Sequence, residues 1–139
     1  MKFFLILSKR SLAIILAAVI IFFIILAQFL SKKAERIDGS TNAARMLYLK
    51  SIKLAAEDEN VTSKDIVIPQ NFGEVYENYN NLQKEVGFDL SSYKGKSATI
   101  YTYELSGTKK QIHLIVCDGA IIGGDIADVK LGGNMYPLK

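Results

Sequence analysis

The chain has 139 residues, half of them hydrophobic, and its single cysteine excludes an internal disulfide framework or a cysteine-based zinc cluster. Its formal charge of +3 is unevenly spread: six basic residues face two acidic ones up to Gly39, and eleven face twelve from Ser40 onward. A near-neutral body of this size has room for one modest domain and lacks the footprint of a nucleic-acid binder, so that class is set aside.

Residues 1–10 read as a short cytoplasmic tail carrying Lys2, Lys9 and Arg10. From Ser11 to Leu30 the chain runs twenty residues without a charge, SLAIILAAVIIFFIILAQFL. A helix of that length spans about 30 Å, the thickness of a bilayer's hydrocarbon core, so a transmembrane helix is expected over 11–30. Lys9-Arg10 and Lys32-Lys33 flank it and can reach the two interfaces. A cleaved signal peptide is disfavoured, because the run exceeds the usual h-region and no small-x-small site precedes the charges. Residues 31–39 read as a juxtamembrane linker and 40–139 as the folded domain. The basic flanks nearly balance, and a short tail before an anchor favours a single-pass protein of the cell membrane with its domain outside the cytoplasm.

Within the domain, Ser40 or Thr41 can cap a helix whose apolar positions include Ala44, Leu47, Ile52 and Ala55, ending near Glu57 to Asn60. KDIVIP follows as a short strand stopped by Pro69. A second helix is expected from Asn71, with Glu74 completing a capping box, and its stripe is Phe72, Val75, Tyr76, Tyr79, Leu82 and Val86. Gly87 suits the left-handed position that ends a helix, with Phe88 folding back onto Leu82. An aromatic stripe at helical spacing reads as core. After a turn-rich link, SATIYTYEL and QIHLIVC read as strands joined by a hairpin loop, SGTKK. Asp118-Gly119 then starts a tight hairpin into AIIGGDI, and ADVKLGG ends that strand or adds a short fourth. The order helix, strand, helix, β-meander predicts an α+β domain, its two helices packed on one face of an antiparallel sheet.

Gly123-Gly124-Asp125 interrupts the last of these strands. No phosphate-binding pattern surrounds the glycines, so they are expected to form a β-bulge or to admit a close neighbour. Tyr101 and Tyr103 are expected to cover the gap, with Asp125 accepting a hydrogen bond from a tyrosine hydroxyl or from loop amides. The functional alternative makes Tyr101, Tyr103, Gly123, Gly124 and Asp125 one shallow binding groove. Cys117 and His113 share a strand face with Ile115 between them in sequence, which disfavours a Cys–His nucleophile. No metal-ligand spacing occurs, and no catalytic residue, metal or cofactor is assigned.

Several stretches carry a family likeness: Ile68-Pro69, Phe72, Val75-Tyr76, Tyr79-Asn80, Leu82-Gln83, Gly87-Phe88-Asp89-Leu90, Tyr93-Lys94-Gly95-Lys96, Tyr101-Thr102-Tyr103 and Ile122-Gly123-Gly124-Asp125. With the closing GNMYPL they resemble a bacterial domain of unknown function, the one numbered 4830, found mostly in Firmicutes. The likeness covers most of Arg45 to Leu138. It implies a membrane-anchored domain and no particular activity. The expected function is therefore binding, with an envelope protein or peptide as partner and a sheet edge or the Tyr/Gly-Gly-Asp region as contact surface. A small-molecule sensor or accessory subunit of a membrane complex is the alternative, and an enzyme the third reading.

Overall fold

The computed structural model describes residues 9–30 and 36–139. The described residues divide into two units, one within residues 1–35 and the other spanning 36–139. The first contains helix α1 (Lys9–Leu30), and its side chains from Ile14 to Ile25 are exposed and apolar. Over the described residues, no helix is long and apolar enough to cross a membrane. Most of the expected tail (1–10) and the first half of the expected linker (31–39) lie outside the described residues.

The second unit starts earlier than expected, at Arg36 rather than Ser40. Ile37 accepts the Ile121 N–H, Asp38 bridges to Ala120, and Gly39 donates to Gly119. Ile37 also packs against the core, so burial ties this stretch to the domain. Helix α2 (Asn42–Ser51) begins where the capping residues point: the Thr41 hydroxyl accepts the Ala44 N–H at 3.1 Å. It stops well before Glu57, because Lys53 turns left-handed at φ 64° and Leu54 donates back to Leu49. The residues expected to continue the helix instead open strand β1 (Ala56–Val67), pairing Ala56 with Leu105 and Glu57 with Glu104. Ladder hydrogen bonds outweigh the helical propensity of Ala and Glu there.

Helix α3 (Glu74–Lys84) has Gly73 as its N-cap, with no side-chain hydrogen bond, so the expected capping box from Asn71 is absent. The stripe is also rotated. Val75 is exposed, while Asn80 and Gln83 are wholly buried beside the aromatic positions. Both amides have local work to do. Asn80 accepts the Leu90 N–H at 2.8 Å and donates to Asp89 at 3.0 Å, fastening the short 3-10 turn Leu90–Tyr93 to the helix. Gly87 is left-handed at φ 88°, and Phe88 donates to the Gln83 carbonyl, as a glycine-ended helix requires. Phe88 then meets Tyr48 edge-to-face, with ring centroids 6.5 Å apart.

Asp89 caps that turn, and the Ser91 side chain, the Asn80 amide and the Ser91 N–H hold its carboxyl down to about 2 from the ordinary 3.8. A carboxyl lowered on folding stabilises above its ordinary value and loses that contribution as pH falls through the folded one. Asp89→Asn keeps an acceptor and removes the titration. Urea unfolding of this variant should therefore depend less steeply on pH between about 4 and 2 than that of the wild type.

The meander follows the expected order: β2 (Ser97–Leu105), β3 (Lys110–Cys117), β4 (Ala120–Asp128) and a further short strand, β5 (Met135–Pro137). The five strands lie side by side in chain order, all antiparallel, with β1 and β5 at the edges. Asp118 (φ 49°) and Gly119 (φ 75°) make the tight β3–β4 hairpin with both residues left-handed. The helices do not share a face. Leu49 of α2 packs with Tyr103, Ile112, Leu114 and Ile126, whereas Tyr76 and Tyr79 of α3 pack against Ile115, Cys117 and Ile122. Because strand side chains alternate, these are opposite faces, and the sheet is covered by one helix on each.

Candidate functional site

The polar centre of the α3 face is Asp125, a carboxylate only 3% exposed. An isolated charge there would be costly, and two donors offset it. The Tyr79 hydroxyl donates to Oδ1 at 2.8 Å, and His113 Nδ1 meets Oδ2 at 2.9 Å. Burial first, and then the Asp125 charge, push the Tyr79 phenol far above its ordinary value, so it stays protonated as a donor. A carboxylate only accepts, which assigns the proton on the facing imidazole nitrogen to Nδ1. Nε2 then has no protein partner among the described residues.

A bulge puts Asp125 on this face. The tight hairpin pairs Cys117 with Ala120, and a regular ladder from that start would set Asp125 opposite Ile112, on the α2 face. The register shifts between Val116–Ile121 and Ile115–Gly123, so Asp125 instead lies opposite His113. The glycines allow the shift and the packing around it. A Cβ on Gly123 would lie 2.9 Å from Gln83 Oε1, and that same oxygen accepts the Gly124 N–H at 2.7 Å. A Cβ on Gly124 would run into the His113 carbonyl and lie 2.5 Å from Leu138 Cδ1. The expected bulge and the expected close approach are both present.

The five residues expected to form one groove are divided by the sheet. Gly123 and Asp125 face α3, whereas Tyr101 and Tyr103 sit opposite Leu114 and Ile112 and face α2. There the Tyr103 hydroxyl donates to Asn42 Oδ1 at 2.9 Å and accepts from Arg45 Nε at 2.7 Å. The Arg45 guanidinium lies 3.5 Å above the Tyr101 ring and donates to the Gly39 carbonyl. That cluster ties α2 to the sheet. The tyrosine that reaches Asp125 is Tyr79, in the aromatic row expected to be core. Its ring packs edge-to-face with Tyr76, and the row both fills the core and lines a groove.

The groove, about 800 Å³, opens between α3 and strands β1 to β3. Ile66, Ile100 and Ile115 form an apolar floor, and Tyr76, Tyr79 and Leu82 form the wall. Thr102, which pairs across the ladder with His113, joins His113 and Asp125 at the polar end, and Lys64 also lines it. Lys64 makes no ion pair among the described residues. Lys64, Tyr79, Thr102 and His113 carry no sequence motif, and only strand register and the position of α3 gather them. A paired-carboxylate chemistry would need a second acid beside Asp125, and none of Asp89, Glu104 and Asp118 is among the lining residues. Cys117 is buried, and burial chiefly raises its thiol, against a nucleophilic role. Among the described residues, no group of three or more potential metal ligands comes together.

The model of a protein family, described as a domain of unknown function (DUF4830), matches residues 53–126, and the chain belongs to that family. The match runs from the turn just before β1 into β4 and contains Lys64, Tyr79, Thr102, His113 and Asp125. No curated protein and no solved structure matches the chain.

Proposed function

We propose that this member of a family without an assigned activity is a single-pass membrane protein, whose α+β unit binds an envelope protein or peptide outside the cytoplasm. The observation that carries the binding reading is the groove. It is an apolar trough on a half-covered sheet face, closed at one end by a fixed polar network. Concave apolar surface with a few convergent polar groups is the usual form of a recognition site. The anchor rests on the sequence alone, on the twenty uncharged residues Ser11–Leu30.

Binding is preferred to catalysis because both carboxylate oxygens of Asp125 are already engaged and no second acid lines the groove. A small-molecule sensor is the second reading. It is favoured by the same polar end, which could orient one functional group of a compact ligand.

Cross-linking on intact cells with a membrane-impermeant, lysine-reactive reagent tests the proposal. The expected result is one recurrent envelope protein linked through Lys64 at the groove. Linkage obtained only with a permeant reagent would place the domain inside. Recurrent links that avoid the groove would move the contact surface elsewhere.

A further inference from the structure

Resting on that reading, we infer that the groove seats the apolar C-terminal residues of a partner polypeptide, with the terminal carboxylate held by Lys64 and Thr102. The ligand's sign follows from which groups are spent. Asp125 is only 3% exposed and already accepts from Tyr79 and His113, so it presents little to an incoming amine. The Lys64 ammonium makes no ion pair among the described residues, and Lys64 and Thr102 both line the groove.

The remaining surface specifies what precedes the carboxylate. Ile66, Ile100 and Ile115 beneath and the Tyr76 ring and Leu82 beside offer chiefly apolar contact. One side of the groove is formed by residues of β1, the outer strand of the sheet. Its outer edge carries main-chain donors and acceptors that an extended backbone can use and a plain acyl chain cannot. A polypeptide end meets all three features.

The test uses the 139-residue chain in lipid nanodiscs and a dye-labelled hexapeptide ending in three leucines, either as the free acid or C-terminally amidated. The free acid should bind about tenfold more tightly than the amide, the size of one charge-assisted contact in a partly desolvated site. Lys64→Gln alters an exposed side chain and should abolish that preference, while changing amide binding by less than about twofold. Equal binding of acid and amide overturns the inference, as does a preference that survives Lys64→Gln. Dodecanoate that binds more tightly than the peptide and displaces it makes the ligand an acyl chain, which also overturns it. If neither peptide binds while cells still yield an envelope partner cross-linked through Lys64, the C-terminal inference fails and the proposed function stands.

Discussion

Asp125→Ala should lower the melting temperature of the 36–139 unit by about 15 °C, the largest effect expected of any single polar substitution here. The loss is not that of a surface ion pair. Tyr79 donates from a largely buried site, and His113 Nδ1 faces the same carboxylate from the next strand. Removing the shared acceptor leaves two donors without partners, at a cost of about 3 kcal/mol together. In a unit of roughly one hundred residues, each kcal/mol moves the midpoint by about 4–8 °C. Asp125→Asn keeps an acceptor for Tyr79, and the imidazole can change tautomer to accept from the new amide. Its cost should be nearer 1 kcal/mol. Thermal unfolding by circular dichroism of the two variants separates these cases. Equal small shifts would show that water already satisfies Tyr79 and His113, so that the polar end of the groove is wet rather than built.

Gly124→Ala comes second and should be worse than Gly123→Ala, although the glycines are adjacent in one strand. At Gly124 the added methyl would meet the His113 carbonyl, which is backbone in the middle of the sheet, as well as Leu138. Neither the ladder nor the closed core can move far, so a loss of about 3 kcal/mol is expected. At Gly123 the nearest atoms are the ends of two side chains, Gln83 Oε1 at 2.9 Å and Leu90 Cδ2 at 3.2 Å. These can shift by tenths of an ångström, and about 1 kcal/mol should suffice, most of it from loosening the Gln83 bond to Gly124. Chemical denaturation of both variants gives the order directly. A Gly123 variant less stable than the Gly124 variant would contradict the placement of the two residues on opposite faces.

The sequence carried the elements whose signals are local. Thr41 as a cap, Gly87 as a helix end, Asp118-Gly119 as a hairpin, and the strands SATIYTYEL and QIHLIVC depend on each residue's own torsional and hydrogen-bonding preferences, and all occur. The misread segments are those where a distant partner decides. Ala56 and Glu57 are good helix formers, but β2 offers them a ladder. Asn80 and Gln83 are polar by composition, yet the Leu90 and Gly124 amides draw them inside. The capping box at Asn71 failed because the helix begins at Glu74, after Gly73.

The candidate site shows the same division at finer scale. That Gly123-Gly124 would bend or bulge the strand, and that Asp125 would accept a tyrosine hydroxyl, could be read from the residues alone. Which tyrosine could not. Strand side chains alternate with a period of two, so a single inserted residue exchanges the face on which all later ones point. The bulge in β4 makes that exchange, taking Asp125 away from the face of Tyr101 and Tyr103 and setting it between Tyr79 and His113. Composition and spacing determined that this chain would build an antiparallel meander with a glycine-rich, acid-bearing break in one strand. Only the tertiary structure decided which face that acid would occupy, because register is fixed by the summed packing of both faces and by no residue in the strand itself.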